Sequence, residues 1–346
     1  DANNVYLDLV LNFAIPGGLG GNQANVGNAL TNFFNSTGGI PLAFAALTPA
    51  GLSQVSGETA TGSQQTTVDV MTQFMGVMTD PFIGGRGDTP AAPGATPFTE
   101  ANIGRGAGRE AYAMITKAGA AIPFTQRWSV WAAGYGGSQT TDGNGGLGTS
   151  TATSRIYGTA VGADYRFSAN TLAGFALAGG GTSFGVNGFG GGRSDLFQAG
   201  AFLRHTVGPA YLSAALAYGW QDITTDRTVT VAGVDQLRAK FNANAWSGRA
   251  EGGYRYITPL MGLTPYAAGQ FVTFELPNYA ETVVSGANTF ALGYAARSVT
   301  ATRSEFGLRA DRSFAMQDAI LTLRGRAAWA HNFNPDRSIT PTFQTL

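Results

Sequence analysis

The chain has 346 residues, 21 Lys and Arg against 21 Asp and Glu, 50 glycines and no cysteine. Zero formal net charge removes the electrostatic footprint of nucleic-acid binding, and the lack of cysteine removes disulfides and thiolate chemistry. Only 12% of residues are charged, against ~25% in a soluble domain, and no run of ~18 apolar residues offers a membrane-spanning helix, so strands are left as the way to cross a bilayer.

In chain order, Asn4 to Phe13 alternates, with Val5, Leu7, Leu9, Leu11 and Phe13 on one face, and reads as a strand. Pro16 to Gly21 breaks the pattern. Asn22 to Asn35 carries Val26, Leu30, Phe33 and Phe34 at helical spacing and stops at Gly38-Gly39. Thr66 to Thr79 repeats that signal with Val68, Met71, Phe74, Met75 and Met78. The two helices are expected to pack on each other and on the strand before them. Ile83 to Pro97 reads as a Gly/Pro linker, and Ala107 to Ala118 as a further short helix ended by Pro123.

Nine alternating segments follow, near 126–138, 154–168, 171–184, 193–207, 209–224, 240–257, 262–276, 297–313 and 319–333. Each sets an apolar face against a polar one. Tyr157, Val161, Tyr165 and Phe167 oppose Asp164 and Arg166; Trp246, Gly248, Ala250, Gly252, Tyr254 and Tyr256 oppose Arg249, Glu251 and Arg255. Phe306, Leu308 and Ala310 oppose Arg303, Glu305, Arg309 and Asp311; Leu321, Leu323, Gly325, Ala327 and Trp329 oppose Thr322, Arg324 and Arg326. The first segment is ambiguous, because Trp128, Val130 and Trp131 occupy both phases. Tight turns at 168–170, 207–209 and 258–260 alternate with longer loops at 139–153, 185–192, 225–239 and 278–296. Short turns at one end and long loops at the other are the asymmetry of an outer-membrane barrel with its charges inside. A soluble β-barrel fits the alternation as well, but gives no reason to sort its connections.

Several motifs invite other readings. Gly181-Thr-Ser183-Phe-Gly185 fits the nucleophile-elbow pattern, which needs a strand-to-helix turn; here another strand follows. Gly143-Asn-Gly145-Gly-Leu-Gly148 fits a dinucleotide fingerprint but precedes no helix. His205 and His331 are not paired at metal-ligand spacing. Arg86-Gly-Asp88 is a chance-level tripeptide. No catalytic, cofactor-binding or metal residues are assigned, and the chain reads as no enzyme.

Arg127-Trp-Ser-Val-Trp-Ala-Ala-Gly-Tyr-Gly-Gly137, Gly162-Ala-Asp-Tyr-Arg166, Gly248-Arg-Ala-Glu-Gly-Gly-Tyr-Arg255 and Leu263-Thr-Pro-Tyr-Ala-Ala-Gly-Gln270 resemble the β-domain of autotransporters, the type V secretion family, particularly those of alphaproteobacteria. Val5-Tyr-Leu-Asp-Leu9, Asn28-Ala-Leu-Thr-Asn32 and Ser56-Gly-Glu-Thr-Ala-Thr-Gly62 resemble that family's passenger–translocator junction. The resemblance implies a mainly β fold: an antiparallel, twelve-stranded transmembrane β-barrel, about nine strands being present and the C-terminus truncated, preceded by a small helical junction and a last β-helix rung. It divides the chain into a passenger end (1–21), helical junction (22–82), Gly/Pro linker (83–98), pore-threading helical segment (99–125) and incomplete barrel (126–346). The implied function is an outer-membrane translocator that exports and anchors an N-terminal passenger at the cell surface; an adhesin, opacity-type or porin-like barrel is the alternative. Implied partners are outer-membrane lipid, the barrel-assembly machinery and its own passenger, with the barrel acting as a monomer and using no cofactor and no nucleic acid. The charges Asp164, Arg166, Arg249, Glu251, Arg255, Arg303, Glu305, Arg309, Asp311, Arg324 and Arg326 are expected to line a hydrated lumen. A pore helix is expected to meet them through Arg109, Glu110, Tyr112 and Lys117.

Overall fold

The computed structural model describes residues 9–83, 127–316, 320–334 and 337–346. The N-terminal part holds α1 (Gly21–Thr37), α2 (Leu42–Ala45), α3 (Pro49–Gln54), a 3-10 turn (Glu58–Ala60) and α4 (Thr61–Thr79). The strands are β1 (Trp128–Thr141), β2 (Ala152–Ser168), β3 (Thr171–Val186), β4 (Gly190–Val207), β5 (Ala210–Val229), β6 (Asp235–Tyr254), β7 (Tyr256–Ile257), β8 (Gly262–Leu276), β9 (Tyr279–Ala280), β10 (Thr282–Ser285), β11 (Leu292–Tyr294), β12 (Arg297–Ala315), β13 (Ile320–Asn332) and β14 (Pro341–Phe343). Nine long strands run antiparallel in the order β1-β2-β3-β4-β5-β6-β8-β12-β13, each beside its neighbour in sequence, as the nine alternating segments require. Among the described residues β1 and β13 each pair on one side only.

The alternation places its two faces as the sequence pattern expects. Tyr157, Val161, Phe175, Leu216, Phe306 and Leu323 stand exposed on the convex side. Asp164, Arg249, Glu251, Glu305 and Arg309 are buried on the concave side. The ambiguous first strand resolves with Trp128 and Val130 outward and Trp131 inward, 3% exposed. Trp131 turns in because its indole N–H donates to the buried Asp164 carboxylate at 2.9 Å. Polar pairing therefore decides the phase where hydrophobicity cannot.

Four expectations need correction. Of the strand expected from Asn4 to Phe13, residues 4–8 lie outside the described residues, and 9–13 form no strand: with no ladder to join, Leu11 and Phe13 pack on a cluster around Leu30, Phe44 and Leu52. The spans 185–192 and 225–239 are not long loops, since β3, β4, β5 and β6 run through them and leave tight connections. The glycines at 190–192 read as a loop by composition, yet each is registered between β3 and β5. The tail after Pro335 reads as a loop in the sequence, yet it holds β14, which pairs with β11, and β11 also pairs with β9. Finally, the helix at 66–79 begins earlier, at Thr61, and packs on the long sheet, not on α1.

α1 matches its expected span and stops at Gly38, whose positive φ lets its N–H close on the Phe34 carbonyl. The N-terminal helices sit at the long-loop end of the sheet. The N–H groups of Gly21 and Asn22, at the start of α1, donate to the Gly146 and Leu147 carbonyls of the β1–β2 loop. Gln54 of α3 bonds Thr230 of the β5–β6 connection.

Candidate functional site

The sheet curls around α4, which packs against seven of its nine long strands, β1 to β6 and β8. A helix enclosed on so many sides must satisfy its polar atoms internally or against the wall. α4 does both. Ser63, Thr66, Thr67 and Thr79 return their hydroxyls to carbonyls of the preceding turn, at 2.7–3.0 Å. Three glutamines of the wall then reach it: the Gln221 amide donates to Thr67 Oγ1 at 3.0 Å, the Gln270 amide to Thr72 Oγ1 at 3.2 Å, and the Gln198 amide to Met71 Sδ at 3.1 Å. The apolar face, Met71, Phe74, Met75 and Met78, closes a core with Leu172, Phe202, Phe241 and Phe274 from the strands. Inward-facing Gly200 and Gly219 make room for it, because a Cβ at either would stand 2.8 Å from a methionine sulfur of α4.

Toward the short-turn end, the concave face carries an ion-pair network that spans β5, β6, β8, β12 and β13. The Arg249 guanidinium meets Glu251 at 2.8 Å and Glu305 at 3.3 Å. Arg309 donates to Glu251 at 2.7 Å and to the Tyr211 hydroxyl at 2.6 Å, and its guanidinium lies 4.0 Å above the Tyr266 ring. Tyr211 in turn donates to Glu251 at 2.8 Å, and Tyr266 to Glu305 at 2.7 Å. Arg326 pairs with Glu305 and donates to the Tyr266 hydroxyl, while Arg303 stands 3.6 Å from Glu305. Arg249 also donates to Gln270 at 3.3 Å, which ties the network to α4 through Thr72.

Of the charges singled out in the sequence, Arg249, Glu251, Arg303, Glu305, Arg309 and Arg326 thus come together. Arg255 and Asp311 form a separate bidentate pair, with both contacts at 2.7 Å. Arg324 donates to the Phe82 carbonyl at 2.6 Å, just beyond α4. Asp164 sits apart with Trp131, and Arg166 is half-buried at the 168–171 turn, donating to the Ala169 carbonyl at 3.4 Å. Arg109, Glu110, Tyr112 and Lys117 lie outside the described residues. Tyr211, Tyr266, Gln198, Gln221 and Gln270 were missed by residue charge. For Tyr211 and Gln221 a signal is available, since both occupy the phase opposite Leu212, Leu216 and Trp220; Gln198 and Gln270 share their phases with Phe202 and with Val272 and Phe274, so alternation does not single them out.

A second polar centre closes the long-loop mouth. Arg227 makes a bidentate pair with Glu281, at 2.8 and 2.5 Å, and donates further to the carbonyls of Gln54 and Phe290. Glu281 also accepts the Leu292 N–H at 2.9 Å, so β5, α3 and the β8–β12 loop are held by one buried clasp. Beside it, the rings of Phe241, Tyr279 and Tyr294 stack at 3.9 and 4.5 Å. Glu58 accepts the Ser150 N–H at 2.8 Å on one oxygen, and burial pushes its carboxyl above the ordinary value of 4.5.

The path of the chain follows from these contacts. Residues 9–60 stand at the long-loop end. Phe82 stands beside Arg324 toward the Ala315–Ile320 end of the β12–β13 pair, and β1 starts at the same end, where the Arg127 carbonyl accepts the Arg166 N–H. Between Thr61 and Phe82 the chain therefore passes along the concave face from one end to the other. The 19 residues of α4 cover about 28 Å, close to the ~30 Å of a bilayer core.

Residues 130–345 match the family model of the autotransporter β-domain. Among solved structures, the chain is similar to the translocator domain of the autotransporter NalP from Neisseria meningitidis, at TM-score 0.51 and 18% identity over 64% of this chain and 74% of that one. That likeness concerns the fold. The β-domain of the Bordetella autotransporter BrkA is matched at TM-score 0.48 and 21% identity, over 60% of this chain and 81% of that one. Among curated proteins, an extracellular serine protease of Serratia marcescens is 29% identical over 141 residues. The match takes in 40% of this chain and 13% of that protein's length.

Proposed function

The chain belongs to the autotransporter β-domain family, and from that premise we propose that residues 61–82 are the trailing end of an exported polypeptide, held in the barrel that let it through. As a member of that family it is an outer-membrane translocator, a transport domain and not an enzyme. The finer reading is that the barrel moves an N-terminal passenger outward, anchors it, and leaves the junction helices α1 to α3 on the cell surface. The observation that carries it is the passage of the chain along the concave face, with residues 9–60 at the long-loop end and both Phe82 and the start of β1 at the short-turn end. A porin or an adhesin barrel has no need of a covalent segment running through its interior.

In this reading the Arg, Glu and Tyr network lines the inner half of the passage and offers a moving backbone exchangeable hydrogen-bond partners. Once export ends, α4 seats against Gln198, Gln221 and Gln270 and fills the space. Insertion as a monomer by the barrel-assembly machinery belongs to the same reading. The test uses the full-length protein in intact cells, with protease added outside. Cleavage within residues 9–60 in intact cells supports the proposal. Protection until the outer membrane is opened overturns it.

A further inference from the structure

Beyond the apolar belt, toward the long-loop end, the convex face carries a polar row to which the passage of the chain gives no role. Register aligns Ser138, Arg155, Ser183, Arg193, Thr224 and Lys240 across β1 to β6. Their sequence neighbours Ile156, Thr182, Ser194, Ile223 and Ala239 are buried, so the row points outward. Lys240 is engaged by Asp222 at 3.4 Å, and in the next row Arg238 pairs with Asp226 at 2.7 Å. Arg155 and Arg193 differ: both are exposed, and among the described residues neither has a hydrogen bond or ion pair.

These two guanidinium groups flank Ser183, one on each neighbouring strand, which places their backbones about 10 Å apart with a hydroxyl midway between them. Along β3 the same-face neighbours of Ser183 are Gly181 and Gly185, so no side chain covers it from above or below. The Tyr157 ring leans over Gly181, where a Cβ would stand 2.6 Å from its hydroxyl. Asp195, registered opposite Gly181, is the nearest acidic residue of the row beneath. Above the row, an open depression is lined by Thr153, Gly185, Asn187, Gly188 and Thr228. Two planar forks with a hydroxyl between them suit the tetrahedral oxygens of a phosphate.

The height selects the source of that phosphate. Arg193 lies four residues beyond Phe197, the last exposed aromatic of β4 on this side, about 13 Å along the strand. The Tyr218–Trp246 pair and Trp220 mark the interface on β5 and β6, and Thr224 lies four residues past Trp220. Aromatic side chains of a barrel gather at headgroup level, and exposed Tyr157 lies only two residues from Arg155 on the same face of β2, so the row stands at the outer edge of that level, among lipid phosphates. The geometry points to a binding site for the phosphate of an anionic lipid headgroup, formed by Arg155, Ser183 and Arg193. It rests on the reading that the convex belt faces acyl chains.

The test takes the full-length protein, extracted from the outer membrane in neutral detergent, and titrates it with diphosphoryl lipid A, phosphatidylcholine or inorganic phosphate under native mass spectrometry. Lipid A is expected to bind at one equivalent and phosphatidylcholine not to be retained. The R155A/R193A variant should bind lipid A about 30-fold more weakly, and R155K/R193K should fall between the two. Unchanged binding by the alanine variant overturns the site. Displacement of lipid A by millimolar inorganic phosphate overturns it as a lipid site. Heat-modifiable gel mobility of the wild-type barrel is recorded alongside. Its absence would count against the membrane reading, whereas its presence with unchanged lipid binding would count against this site alone.

Discussion

Arg309 is held between Glu251, Tyr211 and the face of Tyr266, and removing it strands charge in a buried place. Arg309→Ala leaves Glu251 with Arg249 as its remaining cation. The expected loss is on the order of 3–5 kcal/mol, read by urea unfolding of the micelle-folded barrel. Arg309→Lys keeps the charge but loses the fork, and should recover part of that stability. Glu58 supplies a pH-dependent prediction outside the barrel wall. Burial raises its carboxyl above 4.5, so the folded state holds the proton more tightly than the unfolded chain does. The stabilisation is then fully present below about 4.5 and is lost as pH rises through the raised folded value. The urea midpoint of the folded protein should fall over that window. Glu58→Gln keeps an acceptor without the charge and should flatten the profile; an unaltered profile would remove Glu58 as its source.

At the scale of the element, α4 is built to be enclosed. Its Thr and Ser side chains bond back to its own carbonyls, so burial on nearly every side leaves few polar atoms stranded. Helical periodicity reveals Met71, Phe74, Met75 and Met78 from sequence alone, but periodicity names a sticky face and not its partner. The partner is the far more distant wall: Gly200 and Gly219 lie more than a hundred residues on, and only the curl brings them under Met78 and Met71. Val70→Pro deletes a backbone donor in mid-helix and clashes with the Thr66 carbonyl, a cost of about 3 kcal/mol. If α4 fills the passage, this variant should conduct in planar bilayers while the wild type stays closed. Equal conductance would mean that the helix does not occlude the interior.

For the molecule as a whole, the two faces of one sheet meet different surroundings. β5 and β6 have 20 residues each, about twice the 9–11 that a tilted strand needs to span a bilayer, so their far ends extend past the belt. Leu216 lies within the belt and is 68% exposed. Leu216→Arg should cost about 2–4 kcal/mol in lipid vesicles, measured by urea titration of the inserted protein. A water-facing surface would tolerate that change, so an unchanged midpoint favours a soluble barrel.

Sequence by itself determined the nine long strands, their order and, for all but the first, which side is apolar. Alternation is a local property, and consecutive strands joined by tight turns can pair in only one way. It also set Arg249, Glu251, Arg303, Glu305, Arg309 and Arg326 on the phase opposite an apolar row, but not their pairing with one another. What it left open depends on contacts between distant segments. Trp131 chooses its face by bonding Asp164; residues 9–13 lack a strand neighbour; the glycines at 190–192 become strand because β3 and β5 enclose them; and α4 leaves α1 for the wall. Periodicity does not name the outcome in any of these, because each is settled by a partner, or the lack of one, that only the folded chain supplies.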